Sequence, residues 1–245
     1  MAECRSGRRV GRPSAPVLSR DRIAEAALAI VTDRGLPKLT MKALAGSLGV
    51  TVAALYNHIA SKADLLLLVQ DAVMSRVDAA ALGRLAADSA GMTAADRGVA
   101  SDNLAAALTD WARSYRRVFA GYPDLVPLIA TLPVSGAPAT RRMYEVVAAG
   151  LVAVGIPQPH IVPVIVAFES FLFGSAMDAH APATIFSSGP DESDAPIFSA
   201  AVDAFTAQAD TPSPGMSDDV LNPYADPPFE WGLAALVART VSLLG

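Results

Sequence analysis

The sequence predicts an all-α protein, with a small N-terminal three-helix head followed by a larger C-terminal helical bundle. Three observations point there. Hydrophobic residues make up 52% of the 245-residue chain and charged residues only 18%, enough apolar material for two cores. Alanine is abundant, aromatics are 6% and β-branched runs are few, a balance that favours helices because alanine loses no side-chain entropy in them. Apolar residues also recur three or four positions apart along most of the chain, the period of one helix face.

Each element has its own signals. Residues 1–17 read as a disordered basic arm, with Arg5, Arg8, Arg9 and Arg12 interleaved with Gly7, Gly11, Pro13 and Pro16. Ser19 is a good N-cap for a first helix, Asp21 suits its positive first turn, and Gly35 ends it. Thr40 caps a second helix carrying Leu44 and Leu48, which Gly49 breaks. Thr51 caps a third, with Val52, Leu55 and Ile59 expected on its inner side. Ser61 opens a fourth, and Ser61-Lys62-Ala63-Asp64 has capping-box spacing with Asp in place of Glu. Residues 83–101 read as a connection rich in Gly, Ser, Thr and Asp. Helical spacing resumes at Leu104, Leu108, Trp111, Tyr115 and Val118, and Tyr122-Pro123 interrupts it. A short helix through Leu125 to Leu132 follows, then helices at 139–154, 159–181 and 229–244. Between the last two, residues 182–228 are rich in proline and acids and are expected to be a long, partly mobile segment. The boundaries expected are 18–65 for the head and 66–245 for the body.

Charge separates these parts. Residues 1–62 hold ten Lys+Arg against four Asp+Glu, including all three lysines (Lys38, Lys42, Lys62), whereas residues 63–245 hold nine against twenty. A positive head on a negative body points to a polyanionic partner for the head alone. The single cysteine, Cys4, precludes an internal disulfide, and no Cys/His cluster suggests zinc. No apolar segment follows the N-terminal arginines as in a signal peptide, so a cytoplasmic protein is expected. The apolar stretch Ile161–Met177 contains Pro163 and Glu169 and is short for a membrane span, which favours a buried or interface helix. After residue 80 the only histidines are His160 and His180, in no metal or nucleophile motif, and no glycine loop cradles phosphate. No enzyme, metal or cofactor is expected.

The segment Met41–Ala60 carries the functional signal. Two helices cross steeply only where small residues let their backbones approach. Ala45 supplies that, and Gly49 supplies the turn. Leu44, Leu48, Val50 and Leu55 fill the space between them. Thr51, Ala53, Ala54, Tyr56, Asn57 and His58 are left facing outward, short or polar groups of the kind that enter a major groove. Turn spacing, local positive charge and a basic arm agree on double-stranded DNA.

The stretch from Leu18 to Leu67, through "GLPKLTMKALAGSLGVTVAALYNHIASKADLL", resembles the TetR family of bacterial one-component repressors. Beyond residue 80 the likeness is weaker, although "FESFLFGSAMDAH" and "PFEWGLAALVARTV" resemble helices of the tetracycline-repressor-type C-terminal domain. The resemblance implies an all-helical homodimer whose C-terminal ligand-binding and dimerisation domain releases a near-palindromic DNA operator when a small molecule binds. It places Thr40, Lys42 and Lys62 on phosphate, Thr51, Ala53 and Ala54 against bases, Tyr56 on the backbone, and Asn57 and His58 on a base edge or phosphate. Ile59 stands where the family usually has Phe. The arm's arginines would track phosphate or enter the minor groove.

For the effector, Trp111, Tyr115, Met143, Phe168, Phe171 and Met177 are candidate pocket walls, which suggests a largely apolar ligand. Arg116, Arg117, Arg141, Arg142 and Glu169 are candidate polar anchors. Helices 159–181 and 229–244 are the expected dimer elements. Two alternatives stay open: a ligand-dependent activator or co-repressed regulator, and a constitutive DNA-binding dimer without a sensor.

Overall fold

The computed structural model describes residues 18–88, 97–182, 184–186, 194–209, 222 and 224–244. Cys4 and the four arm arginines lie outside them, as does much of 182–228. Among the described residues all regular structure is helical. The helices are α1 (Arg20–Arg34), α2 (Met41–Leu48), α3 (Val52–Tyr56), α4 (Lys62–Met74), α5 (Ala80–Asp88), α6 (Arg97–Ala120), α7 (Val126–Ile129), α8 (Pro138–Ala153), α9 (Gln158–Asp178), α10 (Pro196–Ala209) and α11 (Asp226–Val241).

In the head, each helix starts where a hydroxyl can satisfy a free backbone N–H. Ser19 accepts from Arg22, Thr40 from Ala43, Thr51 from Ala54 and Ser61 from Asp64. Gly49 ends α2 in the left-handed region, at φ 67° and ψ 30°, where a Cβ would be strained. Ile23, Ala27, Leu28, Leu44, Leu55 and Leu65 are buried between α1, α2, α3 and α4. Val52, expected inside, is exposed instead. α3 has only five residues before Asn57 caps it, and Leu55 and Ile59 alone turn inward.

The body differs from the sequence reading in two places. Residues 80–88 form α5, which packs against both α6 and α8, so 83–88, the first part of the expected connection 83–101, are helical. Asp78 starts it by accepting from the Ala80 N–H at 2.8 Å. Its small residues allow a close crossing: a Cβ on Gly150 of α8 would lie 2.6 Å from the Leu82 carbonyl oxygen. Within 182–228, Pro196–Ala209 is helical, with proline at the first helical position, where its missing N–H is harmless.

α4 joins the two parts. Asp71 on α4 accepts from the Thr140 backbone N–H (2.8 Å) and hydroxyl (3.1 Å), capping α8, which has no side-chain cap of its own. α9 spans 21 residues and is long and apolar enough to cross a membrane by length and composition. In this fold its Ile161, Ile165, Phe168 and Leu172 are buried, and α9 packs against α6, α8 and α11. The central seam is aromatic. Trp111, Tyr115 and Phe119 lie one turn apart on α6, with Trp111 5.5 Å from Phe168 and Tyr115 stacked 4.8 Å from Phe119 between ring centroids.

Candidate nucleic-acid interface and ligand groove

α2 and α3 meet at a corner closed by backbone hydrogen bonds, with Val50 N–H donating to Ala45 O and Gly49 N–H to Gly46 O. This turns α3 outward. Thr51, Ala53, Tyr56 and Asn57 are exposed, and Ala54 and His58 are partly buried. Thr40, Lys42 and Lys62 are also exposed. Thr40 and Thr51 accept backbone N–H groups at 3.1 Å, and each hydroxyl proton remains available to donate to an external acceptor such as phosphate.

A small ionic frame fixes this surface, and only its Asp64 was signalled by the sequence. Asp64 accepts from the Ala60 N–H at 2.9 Å, one residue before the position a capping box would use. It also pairs with Arg20 of α1 at 2.8 Å, while Arg20 donates to the His58 carbonyl at 2.6 Å. The Arg20 hydrogen bonds hold the Asp64 carboxyl below its ordinary range. One arginine thus ties the start of α1 to the turn after α3.

A second set of contacts joins head to body. Arg76, just past α4, donates from Nη2 to both carboxylate oxygens of Glu25 on α1 at 2.7 and 2.8 Å, bonds the Tyr122 hydroxyl through Nη1 and lies over the Tyr122 ring. Asp124 accepts from the Leu36 N–H at 3.4 Å. These residues are 46 to 88 positions apart, and no local spacing announces them.

Of the six candidate pocket residues, Trp111, Tyr115, Met143 and Phe168 are buried in the core. Phe171 stacks on Phe229 at 5.7 Å, and Met177 is exposed. The structure opens elsewhere. A groove of about 420 Å³ between α8 and α9 is walled by Arg141, Tyr144, Ile161, Ile165, Val166 and Glu169. Glu169 accepts from Tyr144 at 2.5 Å and Tyr115 at 2.9 Å, and burial pushes its carboxyl above the usual range although both tyrosines pull it down. A second cleft, about 340 Å³, lies where the end of α9 meets α10 and is lined by Phe186, Phe198, Phe205 and Tyr224. Of the other anchors, Arg116 pairs with Asp226 at 2.7 Å and covers the Phe229 ring at 4.4 Å, whereas Arg117 and Arg142 are exposed. Arg141 alone joins Glu169 at the groove.

An outward short helix at a glycine corner, in the positively charged part of a chain whose remainder is an acidic helical body, defines the class of helix-turn-helix DNA-binding transcription regulators. Residues 23–69 match the model of bacterial regulatory proteins of the tetR family, and residues 99–238 match that of the tetracyclin repressor-like C-terminal domain. The chain therefore belongs to the TetR family. It is 29% identical over 171 residues to the HTH-type transcriptional repressor DrrR1 of Streptomyces coeruleorubidus, a match covering 70% of this chain and 57% of that protein. Apo ActR of Streptomyces coelicolor shares the fold with a TM-score of 0.62 at 23% identity, over 94% of this chain and 99% of its own, and ActR has also been solved with actinorhodin. BioQ, solved with its double-stranded DNA operator, has a TM-score of 0.55 at 18% identity, over 92% of this chain and 99% of its own.

Proposed function

We propose that this chain is a cytoplasmic operator-binding repressor that acts as a homodimer and leaves DNA when a small molecule occupies its body. The carrying observation is the α2–α3 corner, an exposed helix of short side chains set on two threonine caps within the basic segment. On this reading residues 18–65 are the DNA-binding unit and 66–245 the ligand-binding and dimerisation unit. Lys42, Lys62, Thr40 and Tyr56 meet phosphate, and Thr51, Ala53, Ala54, Asn57 and His58 face base edges, with the threonine and alanine methyls suited to thymine. Arg5, Arg8, Arg9 and Arg12 reach the adjacent minor groove or backbone.

Dimerisation is supported by exposed apolar surface on α9 and α11. Pro163, Ala167, Ser170 and Gly174 form an exposed small-residue stripe on α9, and Trp231 on the neighbouring α11 is 81% exposed. A two-fold axis there would set the two α3 helices about 34–36 Å apart, or a multiple of that, on an operator of inverted half-sites. Effector release is then a population shift toward a head spacing that no longer fits the operator. The ligand-bound and DNA-bound solved relatives support both halves of this reading.

Selection from random duplex DNA tests it. The enriched sites should contain two inverted half-sites. Lys62→Ala should weaken binding to every sequence and lower the slope of log affinity against log salt by about one. Asn57→Ala should instead relax the preference at one position of each half-site. Enrichment of no inverted repeat, or unchanged binding in both variants, overturns the assignment.

A further inference from the structure

The groove between α8 and α9 holds two carboxylates, partly buried Glu169 and exposed Glu145, and one cation, exposed Arg141. The ion pairs among the described residues leave Glu169 out. Both tyrosine hydroxyls donate to its Oε1, and Oε2 receives no protein donor among the described residues. Glu169 is only partly buried and Oε2 is not among the buried atoms left without a partner, so this oxygen is open to the groove, where an entering cationic donor can meet it. Arg141, the groove's own cation, stands exposed at the lip.

The rest of the wall is suited to a flat apolar body. Ile161 and Ile165 are buried along α9, and the Tyr144 ring faces the same space. A volume of about 420 Å³ falls within the ~300–1,000 Å³ range of small-ligand sites. At 100° per residue the groove residues Ile161, Ile165, Val166 and Glu169 occupy the flank of α9 toward α8, and the Pro163–Gly174 stripe occupies the next face round. Ligand and partner subunit therefore have separate surfaces.

We propose that this groove binds a small protonated amine carried on a flat apolar ring system, the ammonium donating to Glu169 Oε2 and the rings lying between Tyr144 and the Ile161–Ile165 side of α9. This rests on the body being the sensing domain, and it replaces the largely apolar effector suggested by the sequence with a cationic amphiphile. A neutral ligand would leave the carboxylate without a cationic partner, and an anionic one would meet two like charges, Glu169 and Glu145, in the groove wall.

The full chain, titrated with 9-aminoacridine and with acridine, tests the assignment by the anisotropy of the probe's fluorescence. The first is protonated on its ring nitrogen at neutral pH, with the charge shared by the 9-amino group whose N–H can donate to Glu169, and the second is neutral on the same ring frame. The amine should bind saturably and about tenfold tighter than acridine, as a charge-assisted hydrogen bond provides. Glu169→Gln, nearly isosteric, should reduce the amine to acridine's level and leave acridine unchanged. Val166→Trp, at an exposed wall position, should abolish both without disturbing the circular dichroism. Equal affinity for the two probes, an amine preference that survives Glu169→Gln, or no saturation below about 1 mM overturns the proposal. The same titrations on the protein bound to a selected duplex separate the two readings. Glu169-dependent amine binding with DNA retained refutes the release mechanism and supports the ligand class. DNA release by the amine that is equal in Glu169→Gln refutes the ligand class, because 9-aminoacridine also intercalates between base pairs and displaces a bound protein without entering the groove. Release by the amine that is lost in Glu169→Gln supports both readings.

Discussion

Gly46 and Gly49 are three residues apart, and the same substitution should shift stability in opposite directions at the two sites. A Cβ built on either meets no atom within 4 Å, so packing does not enter and backbone conformation alone decides. Gly46 is an interior residue of α2, where alanine is favoured over glycine by about 0.8–1 kcal/mol. Gly49 has φ 67° and ψ 30°, the left-handed region in which a Cβ crowds the following carbonyl at about 1–2 kcal/mol. The two variants should therefore differ by about 2–3 kcal/mol. In a chain of this size each kcal/mol moves the thermal midpoint by about 2–4 °C. Gly46→Ala should raise it by ~2–4 °C, and Gly49→Ala should lower it by ~2–8 °C. Thermal melts followed by far-ultraviolet circular dichroism read both. Shifts of the same sign, or a neutral Gly49→Ala, would refute the left-handed corner on which the placement of α3 depends.

Gly150→Ala should destabilise the body by about 1–3 kcal/mol, because its Cβ would sit 2.6 Å from the Leu82 carbonyl oxygen. An unchanged denaturant midpoint would mean that α5 and α8 do not cross so closely. Arg76→Ala should cost only about 0.2–1 kcal/mol through its half-exposed pair with Glu25, yet amide exchange in α1 should quicken as the tie to the body goes. Unaltered exchange would show that the tie does not hold the head. Glu169 has a raised folded-state pKa, so its contribution favours the native state near and below the unfolded value of about 4.3 and is lost as pH rises through the folded value. Chemical denaturation across that window should show a weaker pH dependence in Glu169→Gln, and parallel curves would contradict it.

The head was the more legible part because its signals are local. Ser19, Thr40, Thr51 and Ser61 each cap a helix three residues away, and Gly49 takes the one conformation that favours glycine. Val52 lies three residues before Leu55 and so shares its face by spacing, but it is the first residue of a five-residue helix and is exposed there. Residues 83–88 of α5 fall in a stretch, 83–101, that its Gly, Ser, Thr and Asp make look like a connection, although Gly83 and the α5 alanines belong to a helix. They are small because α8 lies against them, with Val146 at 3.3 Å from a Cβ on Gly83. Pocket walls were the least legible. Trp111, Tyr115 and Phe168 have the same spacing whether a helix face meets a cavity or another helix, and here they meet one another. Glu169 could be singled out as a charge in an apolar run. Its tyrosine partners come from two other helices, and no periodicity predicts them.

The ionic frame behind α3 divides labour in a way that bears on how this regulator changes target. Arg20, Asp64 and the cap hydroxyls set the helix's direction, while Ala53 and Asn57 are exposed. Substitutions at those two positions disturb little of what keeps the helix in place. With these two residues facing base edges, as proposed, repertoire drift would proceed through them with the mounting left alone. A change at Arg20 would act the other way, tilting every contact at once. Under the proposed reading, the same scaffold would be readdressed to new operators by a few exchanges on one short helix.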